Sequence, residues 1–330
     1  MPTSRHFASS FLLFAILIAT ANIVLAQTDN LATTDQHPGS VLFFTLYSSS
    51  TTNPMGENTR INITNTSQTD HVIVHLTFID GATCSPADAS LCLTRGQTYS
   101  LTTYDFDPGT AGYIVAVAVN QNGCPINFNY LIGDSFIKLA SGHTANLAAE
   151  AVPAIDLRTL VCAPGSLSAT LTFDGKQYAQ LPKVLALDNI PSLLEGNSIL
   201  MVLINPSGDL TTGANIIGPL FGVLYNDGET PGSFTFTSER CQVKEIISNT
   251  FPRTTPRLNS LIPPGRSGWM RLWSMGNPPT LEDQPLFGAM LIFNPLSSVL
   301  SSAFSQGHNM HILTLKSSAT ITIPTIIPGC

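Results

Sequence analysis

The feature that most constrains this chain is its punctuation into short runs of β-branched and aromatic residues. Segments such as VLFFTLY, TRINITNT, HVIVHLTFID, GYIVAVAVN, SILMVLIN, GWMRLW, FGAMLIFN and ATITIPTII have strand length, and clusters of Gly, Pro, Asn and Asp separate them. Helical periodicity is confined to HTANLAAEAV and NPLSSVLSSAF, and neither is long or clearly capped. Many short strands with frequent turn signals predict an all-β protein built of β-sandwiches.

Charged residues make up 11% of the chain and hydrophobic residues 43%, so Ser, Thr, Asn and Gln must supply most of the solvated surface. That balance suits an extracellular β-protein. The chain opens MPTSRH and continues into the apolar run FASSFLLFAILIATANIVLA. A cation followed by such a run and then by the polar QTDN reads as a secretory signal peptide over residues 1–26, cleaved before Gln27, with a flexible segment over 27–39. Removing it takes away Arg5 and no acid, so the net charge moves from −7 to −8. No later apolar run reaches spanning length, so no membrane span remains after cleavage. The few scattered Lys and Arg form no basic patch, which excludes nucleic acid as a partner.

The chain also answers itself. LFFTLY (Leu42 to Tyr47) matches LFGVLY (Leu220 to Tyr225); INIT at Ile61 pairs with FTFT at Phe234, and TRGQTYSL at Thr94 with PPGRSGWMRL at Pro263. GYIVAVAVN at Gly112 pairs with GAMLIFN at Gly288, and ASGHTANL at Ala140 with SQGHNMHIL at Ser305. The five anchors keep their order, at offsets between 178 (Leu42 to Leu220) and 165 (Ala140 to Ser305). They predict two tandem Ig-like or jelly-roll-like β-sandwich domains of duplicated origin, over residues 40–155 and 162–330. In this alignment GHNMH is the second copy of a turn, with Gly142 or Gly307 supplying the permissive backbone. His308 and His311, three apart in a strand, would point to opposite faces and could not clasp one ion without a bulge.

The run NTRINITNTSQTDHVIVHLTFIDG followed by LTRGQTYSL resembles the early strands of bacterial extracellular immunoglobulin-like modules, over Asn58 to Leu101. The resemblance implies a sandwich fold and no particular chemistry.

Cys84, Cys92, Cys124, Cys162, Cys241 and Cys330 form an even set without a CxxC pair, which favours disulfides over zinc or redox chemistry. Proximity pairs Cys84 with Cys92 across a short loop, Cys124 with Cys162, and Cys241 with Cys330. In HVIVH, the alternation puts Val72, Val74, Leu76 and Phe78 on the core face and leaves His71 and His75 in solvent. The closing SSATITIPTIIPGC alternates Ala319, Ile321 and Ile323 with Thr320 and Thr322, a strand with one buried face that Pro324 should end.

Four acids stand in glycine-bearing loops that could hold Ca²⁺, Asp105 and Asp107 in YDFDPGTAG and Asp227 and Glu229 in YNDGE; the same loops are ordinary turns, and no other cofactor is expected. GRSGW is no nucleophile elbow, and no residue asks to be called catalytic. GWMRLW holds both tryptophans: in a strand Trp269, Arg271 and Trp273 share a face. That face is either an aromatic platform for sugars or a partner, or a packed interior with Met270 and Leu272 turned away; the usual burial of large aromatics favours the interior. The function expected is a secreted structural or binding protein of the envelope or extracellular space, meeting a protein or glycan. The alternatives are a polysaccharide-active hydrolase, with acids such as Asp227 and Glu229 in its cleft, or a glycan-binding module.

Overall fold

The structure is a computed structural model and describes residues 32–156, 162, 165–276, 283–299 and 304–329. The leader over 1–26 and Cys330 lie outside the described residues. Residues 32–330 form one compact unit. Among the described residues no helix is long and apolar enough to cross a membrane.

Five sheets account for the strands. Sheet A runs β4 (Pro86–Leu93), β3 (Val72–Asp80), β6 (Ala111–Val119), β1 (Val41–Ser48), β9 (Glu150–Val152). Sheet B runs β5 (Thr98–Thr102), β2 (Asn58–Asn65), β7 (Leu131–Lys138), β8 (Thr144–Ala148). Sheet C runs β16 (Pro231–Ser238), β15 (Gly218–Asn226), β18 (Ser267–Ser274), β11 (Pro182–Pro191), β21 (His311–Leu315). Sheet D runs β17 (Gln242–Ile247), β12 (Ser198–Ile204), β19 (Phe287–Phe293), β20 (Gln306–Asn309). Sheet E runs β10 (Ser168–Thr172), β22 (Thr320–Pro324), β13 (Gly208–Asp209), β14 (Gly213–Ala214), with β13 parallel to β22.

This corrects the expected pair of tandem Ig-like or jelly-roll-like sandwich domains. The sheets pack as five blades of one body, a propeller-like arrangement, although no blade is a meander of consecutive strands. The apolar clusters run from blade to blade. Leu42, Phe44, Ile63 and Val74 pack between sheets A and B, while Phe43, Val115, Leu171 and Ile321 pack between A and E. Ile137, Leu147, Val202 and Leu291 join B to D, and Met201, Leu203, Leu224 and Met270 join D to C. Alternate residues of β1 and of β12 thus enter different cores. A sequence pattern that looks half-solvated is buried on both faces.

The first four sequence anchors do not occupy matching places, whereas the last pair falls in β8 and β20, each the final strand of its sheet. Leu42–Tyr47 lies in β1, fourth in its sheet, whereas Leu220–Tyr225 lies in β15, second in its sheet. What recurs is strand order: sheet C repeats the order of sheet A, and sheet D that of sheet B, when β11 is set against β1. Gly142 does turn the chain at φ +89°, but Gly307 sits inside β20, so the two GH pairs play different backbone roles. HTANLAAEAV forms β8 and β9 and no helix.

Two further expectations fall for the same reason. His75 is buried, with Nε2 2.7 Å from Asp88 Oδ1, because β4 and the neighbouring blade cover that face; only His71 stays in solvent. Cys84 is bonded to Cys241, with the Cα atoms 5.6 Å apart, and not to Cys92. The segment between Cys84 and Cys92 is a strand and not a loop, and eight residues of strand rise carry Cys92 about 26 Å away. That bond also removes Cys241 from the expected pairing with Cys330. Cys92 is disulfide-bonded, and Cys124–Cys162 forms as expected, Cα to Cα 5.7 Å. Ala319, Ile321 and Ile323 are buried and Pro324 ends β22, which is held within the same molecule between β10 and β13.

Candidate functional site

The outer face of sheet C is aromatic. In β18 the backbone alternation turns Met270 and Leu272 into the core, at 0% and 1% exposed, and turns Trp269, Arg271 and Trp273 outward. This reverses the packed-interior reading of GWMRLW. The core between sheets C and D is filled instead by side chains such as Met201, Leu203, Met270 and Met290.

Each tryptophan has a cross-strand aromatic partner on β15. Trp269 is 39% exposed and stacks on Tyr225, with centroids 5.2 Å apart and planes at 20°. Trp273 meets Phe221 at 5.0 Å, and the Arg271 guanidinium lies over the Trp273 ring, 5.9 Å from its centroid. The two aromatic pairs are four residues apart along the strand, about 13 Å. On the neighbouring β16, exposed Ser233, Thr235 and Thr237 line the strip with hydroxyls.

On the other side the strip reaches a bulge in β11. Leu187 pairs with Met270 and Ile190 with Gly268, which leaves Asp188 and Asn189 opposite Trp269, Asn189 at φ +50°. Here the chain also switches sheets: β20 ends in sheet D at Asn309, and β21 begins in sheet C at His311. The switch overturns the expectation that His308 and His311 face apart. Their rings are 6.3 Å apart, and both Nε2 atoms approach Asp188, at 3.5 and 3.4 Å.

These residues open into a cleft of about 650 Å³ that also takes in Asp35, Glu150 and Asn309. Glu150, on β9, is 3% exposed. Burial first, and the nearby Asp35 charge second, push its carboxyl up to about 8, so it keeps its proton at neutral pH. None of Asp35, Glu150 or Asp188 was singled out by the sequence. The available signal was a lone acid in an apolar run, AAEAV and LALDNI. A second cavity, of about 660 Å³, has the Arg60 guanidinium 4.5 Å over the Phe136 ring and gathers no carboxylate.

The four acids weighed as possible Ca²⁺ ligands make other contacts or sit in turns. Asp107 accepts from the Tyr47 hydroxyl at 2.5 Å and from Thr110; Asp105, in the one-turn helix α1 (Thr103–Phe106), accepts from Thr102. Asp227 pairs with Arg266 at 2.7 Å, and Glu229 sits in a turn at φ +62°. Among the described residues, no three His, Cys, Asp or Glu side chains are grouped to hold a metal ion. The chain matches no family model and no curated protein.

Proposed function

We propose that this is a secreted, non-catalytic carbohydrate-binding protein whose binding face is the aromatic strip of sheet C. The cross-strand stack of exposed Trp269 on half-buried Tyr225 carries the reading. Flat apolar rings in solvent match the C–H faces of sugar rings. The Arg271 guanidinium and the hydroxyls of Ser233 and Thr235 offer partners to sugar hydroxyls. Export is supported by the apolar leader and by disulfides, which persist in oxidising compartments.

The test is affinity electrophoresis and tryptophan-fluorescence titration against a panel of soluble polysaccharides. Trp269→Ala should weaken binding at least tenfold, about 1.4 kcal/mol, with an unchanged melting temperature. Equal retardation of wild type and variant by every polysaccharide would refute the assignment. A hydrolase reading is favoured by one observation, the gathering of Asp35, Glu150 and Asp188 in a single cleft. Release of reducing ends from a bound polysaccharide, abolished by Glu150→Gln, would establish it instead.

A further inference from the structure

The cleft beside the strip has an imbalance of hydrogen-bonding groups. Its lining includes three carboxyl groups and no lysine or arginine. Asp188 Oδ1 and Asn309 Oδ1 are buried without a hydrogen bond. Glu150, 3% exposed, lines the same cleft. The nearest nitrogen to Asp188 Oδ1 does not relieve it. His308 Nδ1 is 2.9 Å from the Asn309 carbonyl oxygen, which only accepts, so Nδ1 carries the proton of the neutral ring. Nε2 is then an acceptor, 3.5 Å from another acceptor. Asn309 Nδ2 is already committed, donating to Ala148 O at 2.8 Å and to Asp35 at 3.3 Å.

What such a site lacks is a donor-rich cation. A metal ion is disfavoured, since no three ligating side chains of the described residues are grouped to hold one. The volume is that of an organic ligand. A primary ammonium brings three donors and no acceptor, the complement of a lining rich in carboxyl and amide oxygens. We propose that this cleft recognises a primary ammonium group and, resting on the carbohydrate reading of the adjoining strip, that the full ligand is a glycan bearing unacetylated amino sugars. The bulge that carries Asp188 lies opposite Trp269, one strand away, roughly 5 Å in the sheet. A sugar ring stacked on Trp269 therefore places its substituents at the cleft mouth.

Glu150 deepens the argument. An ammonium beside it favours the ionised carboxylate, so binding should expel its proton at neutral pH and tighten as the pH rises toward about 8. Asp35, Asp188, His308 and His311 face the same cleft.

Calorimetry with three probes tests this: spermidine, a glucosamine trimer and an N-acetylglucosamine trimer. The wild-type protein should bind spermidine and should prefer the free-amine trimer at least tenfold over the acetylated one. Glu150→Gln and Asp188→Asn should each abolish that preference and the spermidine signal, while Trp269→Ala should weaken both trimers and leave spermidine unchanged. Spermidine binding that is lost in the cleft variants, alongside trimers indifferent to Trp269→Ala, would keep the ammonium site and sink the carbohydrate reading. Failure of the wild-type protein to bind spermidine, or equal affinity for the two trimers, would overturn the ammonium site. Neither of those two results depends on a variant folding.

Discussion

Phe43 distinguishes a body of five packed blades from a pair of independent sandwiches. It lies on β1 between Leu42 and Phe44, which enter the core shared with sheet B, and it points the other way. In a free-standing sandwich that position would face solvent, and truncation there would cost about 0.5 kcal/mol or less. Here Phe43 is 0% exposed, 4.9 Å from the Phe287 ring and 6.3 Å from the Phe173 ring. Phe43→Ala therefore removes a fully buried ring and opens a cavity, a loss of about 3–5 kcal/mol, part of it from two aromatic contacts. At roughly 2 °C per kcal/mol for a body of this size, the midpoint should fall by about 6–10 °C. Urea unfolding followed by far-ultraviolet circular dichroism, with the disulfides intact, measures it directly. A single transition with unchanged slope is expected. A loss under about 1 kcal/mol, or two separate transitions with only one of them moved, would refute continuous packing from blade to blade.

Non-reducing peptide mapping should recover Cys84 joined to Cys241, and Cys84→Ser with Cys241→Ser should cost on the order of 5 kcal/mol, since that bond closes a separation of 157 residues. A peptide joining Cys84 to Cys92 would contradict the strand between them. Glu150 makes stability depend on pH with a definite sign. Its folded value of about 8 exceeds the usual 4.5, so between those limits the native state holds a proton that the unfolded state has released, and stability falls as pH rises through that window. Glu150→Gln should flatten this decline by a few kcal/mol, read from melts across the same range; an unchanged slope would mean that Glu150 is ionised in the fold.

The β character and most strand positions were legible, because β-branched alternation is a local property. The number of layers was not. HVIVHLTFID alternates as a half-solvated strand does, yet Ile73, His75 and Thr77 are buried, since a blade from distant sequence covers them. The leading anchor failed through degeneracy: LFFTLY and LFGVLY are both apolar strand centres, and similar demands produce similar strings in β1 and β15. The disulfide at Cys84 was misjudged because nearness in sequence is a poor guide once a strand intervenes. At the candidate site, the common face of Trp269, Arg271 and Trp273 was readable from spacing alone, but its direction depended on which residues filled the core. The meeting of His308, His311 and Asp188 was beyond reach, because it depends on a change of sheet at Met310 and on a bulge in β11.

Sheet E places β22 between β10 and β13, and its Ile321 and Ile323 lie against Phe43, Val115 and Val117. The cover for the outer face of sheet A thus comes from chain made long after β1, β3 and β6. During synthesis those strands can pair with one another while one of their faces still lacks its lid. Until Pro324 has emerged, that apolar surface is available to chaperones or to other nascent chains. A ribosome stalled anywhere between β9 and β22 would therefore leave a fragment with well-formed hydrogen bonds and a sticky side, and quality control would read such a product by its exposed phenylalanine and valines.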